Sequence, residues 1–249
     1  MEQENKLIEN ICDEYKNNKM VTYQKLNKLF ITKTIDTDTL DKSLLNKINK
    51  IIIDHHQQDI IDPTLLFQKY NIILFHGDIL KLKVDCIVNA ANEQCLGCFS
   101  YQHKCIDNII HSASGPELRW ECKKILGDNI VETGNCIITK GYNLLSKHVI
   151  HAVGPVYDSD EHNECCKLLE LCYNNILNTC KNNKIKNIAF CSVSTGVFGF
   201  PKDHASKIAV DTVTDWLEKN IDYDLDIIFC TFDKADYLLY KKYNFIELQ

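Results

Sequence analysis

From residue 71 onward, short apolar runs alternate with longer segments of helical periodicity, and this alternation restricts the fold more than any other feature. The segments 165–180 and 205–217 carry their apolar residues on one helical face. Strands that alternate with helices at this spacing are typical of an α/β layer built on a largely parallel sheet. The predicted strands are 71–75, 86–89, 136–139, 148–153, 187–191 and 226–230.

The first 70 residues differ from the rest of the chain in composition. All 9 glycines lie from Gly77 onward, and of the 4 prolines only Pro63 lies before residue 71. Within this stretch, the segment 41–58 has apolar residues at the spacing of one helix face. We therefore predict a helical N-terminal extension over residues 1–70 and an α/β domain over residues 71–249. The residues on the predicted helix face are Leu44, Leu45, Ile48, Ile51 and Ile52.

Charge and cysteine content limit the surroundings in which the chain can work. The 28 Lys+Arg and 34 Asp+Glu give a net charge of −6, which argues against bulk affinity for nucleic acid or an anionic membrane. No apolar run approaches the roughly 18–20 residues of a spanning helix, and the N-terminus lacks a signal-peptide pattern.

The 13 cysteines are odd in number and irregularly spaced, so they do not form a disulfide framework. We expect a reducing, cytoplasmic setting in which most thiols are small buried hydrophobes.

Three loops follow predicted strands, at the edge of a parallel sheet where ligands bind. Gly77-Asp78-Ile79 offers a close backbone approach and a carboxylate, although alone it is typical of a turn. The segment 89–92 (NAAN) places two amides around two small residues, which alone favours an Asn-capped turn. The segment 194–201 (STGVFGFP) combines glycines with a proline at a helix start, so its backbone N–H groups can receive a phosphate. It matches neither a Walker A loop nor a dinucleotide fingerprint.

In this order and spacing, the motifs resemble those of the macrodomain family, whose members bind ADP-ribose. The resemblance covers residues 71–245 and implies a three-layer α/β/α fold with a mixed, largely parallel central sheet. The combination of NAAN with STGVFGFP is far more specific than either motif alone. The matching stretches are GDI at 77–79, VDCIVNAAN at 84–92, CIDNIIHSASGPEL at 105–118, HAVGP at 151–155 and STGVFGFP at 194–201.

The loop after NAAN is similar to that of one macrodomain subfamily. Hydrolytic macrodomains usually carry a glycine-rich loop ending in Val-Asp there, whereas this chain has GCFSYQHKCID at 97–107. This loop resembles the zinc-containing microbial subfamily, which also carries an N-terminal helical extension. The chain departs from that subfamily at 54–63, where DHHQQDIIDP replaces an Arg/Pro-rich stretch. The contacts of the extension therefore do not follow from the resemblance.

Cys98, His103 and Cys105 bring two thiols and an imidazole within eight residues. Tetrahedral Zn²⁺ prefers this ligand set, and three protein ligands leave a fourth position open, as in catalytic sites. In a chain with 13 Cys and 9 His, such a cluster can also arise by accident. The resemblance places this loop beside the distal ribose, next to Asp107, and we therefore predict one zinc ion per chain. Cys95 is interpreted as a structural thiol.

The remaining cysteines and the His55-His56 pair are interpreted as structural. Adjacent rings splay apart on a helix, so a solvated surface is favoured for the two histidines over a ligand pair. The cysteines that fall on apolar faces and are expected in the core are Cys86, Cys165, Cys172, Cys180, Cys191 and Cys230.

The resemblance implies a role for each loop residue. Asp78, with the backbone of Ile79, accepts the adenine amino group, while Phe232 can either stack on adenine or belong to the core. Asn92 binds the distal ribose hydroxyls, and Asn89 is assigned to the ligand site while holding its loop through backbone bonds. Asp107 either caps a helix or orients or deprotonates a water near the anomeric carbon. The residues expected around the diphosphate are Ser194, Thr195, Gly196, Val197 and Phe198, the last also near the distal ribose.

These assignments predict a zinc-dependent hydrolase that removes mono-ADP-ribose from protein side chains and releases ADP-ribose. Asp107 and Asn92 are its predicted catalytic residues. Zinc either activates a bound water or grips a ribose hydroxyl or the scissile oxygen, and the sequence leaves both open. The partners expected are mono-ADP-ribosylated proteins, with no nucleic acid and no membrane. Three alternatives are a binding module without hydrolysis, an O-acetyl-ADP-ribose deacetylase, and a protein whose zinc only stiffens the loop.

Overall fold

A single mixed β-sheet forms the centre of the chain in the computed structural model, which describes residues 2–56, 59–67, 71–243 and 245–248. Within these residues the sheet has seven strands, in the spatial order β3-β4-β2-β5-β6-β1-β7. The strands are β1 (Ile72–His76), β2 (Cys86–Ala90), β3 (Cys136–Lys140), β4 (His148–Ala152), β5 (Asn187–Phe190), β6 (Asp226–Thr231) and β7 (Ile246–Leu248).

The pairing confirms the prediction of a mixed, largely parallel sheet. Every neighbouring pair is parallel except β3 with β4, which is antiparallel. All six predicted strands form, with ends shifted by at most one residue. The sequence did not predict β7, because its three residues alternate Ile-Glu-Leu and are only half-buried. So short a segment carries no recognisable strand pattern.

Helices cover both faces of the sheet and complete a three-layer fold. On β1, the neighbouring residues Ile73 and Leu74 point to opposite faces. Leu74 shares an apolar cluster with residues of α7, α8 and α9, whereas Ile73 shares one with residues of α5 and α6. The helices are α1 (Glu2–Asp13), α2 (Lys19–Thr32), α3 (Lys42–His56), α4 (Thr64–Phe67), α5 (Ile106–Ser114), α6 (Pro116–Leu126), α7 (His162–Asn182), α8 (Lys202–Lys219) and α9 (Lys234–Lys241).

The N-terminal helices α1–α3 have an apolar cluster of their own. Ile8, Leu26 and Ile48, one from each helix, are fully buried in it. The helix predicted over 41–58 is present as α3, and residues 57–58 lie outside the described part of the chain. The predicted domain boundary near residue 70 also falls outside the described residues and stays a prediction.

The N-terminal helices are joined to the α/β part of the chain by polar contacts. The Asn49 amide on α3 donates to Glu117 on α6 at 2.9 Å. The Asn143 amide donates in turn to the Asn49 side-chain oxygen at 2.8 Å. A buried arginine on α6, Arg119, makes a further contact with the end of α2.

The expectation that His55 and His56 lie on a solvated surface is wrong. The His55 ring stacks on Tyr23 of α2 with a centroid separation of 3.5 Å. The His56 Nε2 lies 2.8 Å from the Tyr23 hydroxyl, and burial lowers the pKa of His56 to about 4. Both rings therefore join α3 to α2, with His56 neutral at physiological pH. A contact between separate helices leaves no local sequence pattern.

Among the described residues, no helix combines the length and the apolar character needed to cross a bilayer.

Replacing Phe229 by alanine tests the assignment of the sheet core. Phe229 is 1% exposed on β6, and its ring lies 4.9 Å from that of Tyr240 and 5.7 Å from that of Phe245. Phe229→Ala should lower the free energy of unfolding by about 3–5 kcal/mol in chemical denaturation, because it leaves a cavity. Phe232→Ala is the matched control: Phe232 is 81% exposed, so a change within about 0.5 kcal/mol is expected. Equal losses from both variants would contradict this core.

Candidate functional site

Parallel pairing brings the carboxyl ends of β1, β2, β4, β5 and β6 to one edge of the sheet. Backbone hydrogen bonds join the loops that leave this edge. The N–H of Gly77 donates to the carbonyl of Thr231 at 2.9 Å, and the N–H of Tyr157 donates to that of Phe198 at 2.8 Å. The predicted loop motifs therefore meet at the same edge, where a parallel sheet binds ligands.

The 194–198 loop, between β5 and α8, presents unused backbone donors. Ser194 is buried at its start and has a φ of +64°, in the left-handed region. Among the described residues, none accepts from the backbone N–H groups of 195–198, and Val197 is 72% exposed. Successive free N–H groups beside a left-handed residue form a concave anion-binding surface.

Gly154, after β4, allows this loop to sit close to its neighbour. A Cβ atom at position 154 would lie 2.1 Å from the Ser194 Oγ and 2.7 Å from the Val193 Cγ1. Any side chain there would therefore displace the start of the 194–198 loop.

Asp78 and Phe232 lie at the β1 and β6 side of the same edge. The Asp78 carboxylate accepts from the backbone N–H of Leu80 at 2.9 Å and caps a short 3₁₀ turn over Ile79–Lys81. Ile79 itself is 3% exposed, so its contribution to a ligand is limited to its backbone. Phe232 is exposed, so it is not a core residue. Its ring is therefore free to stack on a planar group.

The two asparagines of NAAN have different surroundings. Asn92 donates to the carbonyl of Gly97 at 3.0 Å and accepts from the N–H of Gln94, so its side chain holds its own loop. Asn89 is fully buried and donates to Asp107 at 2.8 Å. The sequence predicted that Asn89 holds its loop through backbone bonds, whereas its side chain instead supports a carboxylate.

Cys98, His103 and Cys105 come together in the 97–105 loop, and their ligating atoms all lie within 4.8 Å of one another. The Cys98 Sγ is 3.3 Å from the His103 Nδ1 and 3.6 Å from the Cys105 Sγ. Tetrahedral zinc bonds of usual length would separate two sulfurs by about 3.8 Å and a sulfur from a nitrogen by about 3.6 Å. The three side chains thus fit a tetrahedral soft-metal ion, and Cys95, fully buried, is not among them.

Asn108 holds the backbone of this loop, a role that the sequence did not predict. Its side-chain amide donates to the carbonyl of Ser100 at 2.7 Å and to that of His103 at 2.8 Å, and its oxygen accepts from the N–H of Cys98 at 3.4 Å. Asn108 is 2% exposed. The signal available in the sequence was an asparagine next to Asp107, in the first turn of an amphipathic helix.

Asp107 lies in the first turn of α5, and the cluster residue Cys105 lies directly before that helix. The helix cap is Cys105, whose sulfur accepts from the N–H of Asn108, so the alternative of Asp107 as the N-cap is wrong. Asp107 is 5% exposed and 3.5 Å from the Nε2 of His111. Burial raises the pKa of Asp107 to about 6, while the hydrogen bond from Asn89 and the charge of Arg119 oppose this shift.

Two further buried residues surround Asp107 and were not singled out in the sequence. His151 on β4 lies 3.1 Å from the Asn89 amide and 3.0 Å from the Thr139 hydroxyl. Burial lowers the pKa of His151 to about 3, so the ring is neutral. Arg119 on α6 is 2% exposed. Because these contacts come from distant strands and helices, only the fold brings them together.

All 13 cysteines are free. Those predicted in the core are buried, except Cys191, which is partly accessible. Burial raises the pKa of the Cys95 and Cys191 thiols to about 12. Such thiols stay protonated and unreactive at neutral pH.

Fold and site together define an α/β protein with a loop of free backbone N–H groups and a thiol–imidazole cluster at one sheet edge. The family model for the Macro domain matches residues 88–209. In a solved structure, a mutant macrodomain of Oceanobacillus iheyensis with ADPR is 36% identical, with a TM-score of 0.62 over 68% of this chain and 90% of that one. The chain belongs to the macrodomain family.

Other relatives extend the comparison. Proteins named Protein-ADP-ribose hydrolase from Treponema medium and Staphylococcus aureus (strain COL) are 44% identical over 171 residues and 43% identical over 176 residues. These alignments cover 68% and 69% of this chain but 65% of each relative, less than two thirds of its length. A Trypanosoma brucei macrodomain in complex with ADP-ribose is 29% identical, with a TM-score of 0.66 over 87% of this chain and 94% of that one.

Replacing Asn108 by alanine tests the support of the 97–105 loop. The carbonyls of Ser100 and His103 would each lose a short hydrogen bond, so the unfolding free energy should fall by about 1–3 kcal/mol. Amide hydrogen exchange in the loop should become faster. Asn129→Ala is the matched control, because Asn129 is exposed and its amide donates only to the carbonyl of Leu126 at its own helix end. Unchanged exchange in the loop of Asn108→Ala would contradict the assigned role.

Proposed function

We propose that this protein is a zinc-dependent hydrolase that removes mono-ADP-ribose from protein side chains. The observation that carries the proposal is the zinc-fitting cluster of Cys98, His103 and Cys105, two residues before a buried carboxylate at the ligand edge. Membership of the macrodomain family and the relatives named as protein-ADP-ribose hydrolases support the activity. Recognition of ADP-ribose alone requires the anion-binding and adenine loops but no such cluster.

The ligand is proposed to lie along the sheet edge. The diphosphate binds the free N–H groups of 195–198, whose fixed dipoles favour an anion without a basic side chain. This agrees with a net charge of −6. The carboxylate of Asp78 keeps one oxygen for the adenine amino group, and the exposed ring of Phe232 stacks on the base. The distal ribose then reaches the 97–105 loop, near Asn92.

Cys98, His103 and Cys105 would hold one zinc ion, which supplies a Lewis acid next to the distal ribose. Three protein ligands are the number found in catalytic rather than structural zinc sites. Asn108 keeps the backbone that carries these ligands in place.

Asp107 is proposed to act on the attacking water. Asn89 donates to its Oδ1 at 2.8 Å, whereas no described residue donates to its Oδ2. A water bonded to Oδ2 can therefore be oriented toward the anomeric carbon. Its oxygen forms the new bond to that carbon, the bond to the protein side chain breaks, and a proton of the water passes to Asp107 and from there to the leaving side-chain atom. The products are ADP-ribose and the unmodified side chain.

The proposed partners are mono-ADP-ribosylated proteins in the cytoplasm. A reducing compartment suits a chain with 13 free cysteines, two of them thiols of the proposed zinc site. An assay on serine-, aspartate- and arginine-linked ADP-ribosylated proteins identifies the linkage that is cleaved. Tight binding of all three substrates without any release of ADP-ribose would instead make the protein a binding module.

Removal of metal tests the zinc dependence. Treatment with a chelator should lower the rate of ADP-ribose release by about 100-fold, the equivalent of a few kcal/mol of lost transition-state stabilisation, and added Zn²⁺ should restore it. Cys98→Ala should lose metal and activity in the same way. Cys166→Ala is the matched control, since Cys166 is equally half-buried but lies outside the cluster. Full activity of the chelated enzyme would refute the proposal.

Replacing Asp107 by asparagine separates catalysis from binding. The variant keeps the size of the side chain but cannot take a proton, so kcat should fall by about 10²–10⁴-fold. Calorimetric affinity for ADP-ribose should stay within a few-fold of that of the parent protein, since the 194–198 loop and Asp78 are untouched. An Asp107→Asn enzyme with unchanged kcat would assign the proton transfer to another group.

A further inference from the structure

Arg119 on α6 contacts the N-terminal helices through one end of its guanidinium group. Its Nη1 donates to the carbonyls of Phe30, Ile31 and Lys33 at 2.5, 2.8 and 3.1 Å. These carbonyls lie at the end of α2, where a helix exposes unpaired acceptors and partial negative charge. A buried cation is therefore compensated by a helix terminus contributed by the N-terminal extension.

The same guanidinium also contacts the 97–105 loop. Its central carbon lies 4.6 Å from the centre of the Phe99 ring, within the range of a cation–π contact. A Cβ atom at position 97 would lie 2.5 Å from the Arg119 Nη2, and Gly97 also has a φ of +79°. Only glycine meets both requirements, so the backbone just before Cys98 lies directly against Arg119.

The backbone on both sides of Cys98 requires such support. Phe99 has a φ of +54°, which is unfavourable for a residue with a side chain. Residues in such conformations persist only where their surroundings hold them. Cys98 therefore sits between two left-handed residues, Gly97 and Phe99, that both contact Arg119. A second contact from α2 places the Lys28 ammonium 6.0 Å from the Tyr101 ring centre, farther along the loop.

We propose that Arg119 is a positioning residue that holds Cys98 in ligating geometry by joining the end of α2 to the 97–105 loop. The proposal rests on the proposed function, because it assigns the N-terminal helices a part in building that same metal site. Arg119 itself is not a ligand: its guanidinium acts through the ring of Phe99 and the backbone of Gly97. Lysine is not equivalent to it, since a compact ammonium lacks the extended group that reaches the carbonyls of α2, the ring of Phe99 and the backbone of Gly97 together.

Metal affinity of the full-length protein tests this role independently of catalysis. Co²⁺ is titrated into metal-free protein, thiolate-to-cobalt absorption is followed, and Zn²⁺ then competes. Phe99→Leu removes the aromatic ring but keeps the contacts between Arg119 and α2. Because Phe99 is partly exposed, we expect this variant to fold. Phe99→Tyr keeps the aromatic ring and is the matched control. Arg119→Lys removes the guanidinium that contacts Phe99 and Gly97.

We expect Phe99→Leu and Arg119→Lys to bind Co²⁺ and Zn²⁺ about 10–100-fold more weakly, as is usual for groups that orient metal ligands. Phe99→Tyr should match the parent protein in metal affinity. The double variant should bind metal no more weakly than Arg119→Lys alone, because Phe99→Leu breaks a contact between Phe99 and Arg119 that Arg119→Lys has already removed. If Arg119→Lys does not fold, the metal affinity of Phe99→Leu alone decides whether Arg119 has the positioning role.

The outcomes separate this proposal from the one on which it rests. Parent-like metal affinity in Phe99→Leu would overturn the positioning role, even if the parent enzyme hydrolyses its substrate with zinc. A parent protein that binds neither Co²⁺ nor Zn²⁺ would overturn the zinc-dependent function itself, and the positioning role with it. Weaker metal binding in Phe99→Leu, with an unchanged melting temperature of the metal-free protein, supports the role of Arg119.

Discussion

Parallel pairing of the central strands is the constraint on which the rest of the structure depends. Because β1, β2, β4, β5 and β6 run in the same direction, their five following loops leave one edge of the sheet. Both faces of the sheet are covered by helices, so this edge is where backbone donors and polar side chains can meet a ligand. The 194–198 loop and the 97–105 loop lie at the same edge because of this arrangement rather than because of their own sequences.

Local patterns in the sequence predicted the parts of the fold that have a local cause. Buried strands appear as short apolar runs and surface helices as one-sided apolar faces, so six strands were predicted to within one residue at each end. The helices α3, α7 and α8 were also predicted, and α7 and α8 extend two or three residues beyond the predicted segments at each end. The cluster of Cys98, His103 and Cys105 could also be recognised in the sequence, because its three members lie within one loop. β7 lacks such a pattern, since its alternating residues are all half-buried.

Contacts between distant residues were not predictable in this way. Arg119 lies on a helix whose pattern suggests solvent exposure, yet it bonds to carbonyls 86–89 positions earlier in the chain. Asn89 stands in a motif that suggests ligand contact, yet its side chain is buried against Asp107 and His151. In both cases the partner is set by topology. The sequence therefore predicted that these loops lie at one edge of the sheet, but not which buried residues hold them in place.

The shortness of β7 has a consequence for how the molecule meets other chains. An outer strand exposes backbone groups that can recruit a strand from a second molecule, and pairing of that kind is favoured by long, flat, uncharged edges. β7 has three residues, with Glu247 in the middle, and Lys241 forms an ion pair with that carboxylate. This side of the sheet is therefore a poor template for intermolecular strand addition, which protects the protein from edge-to-edge aggregation.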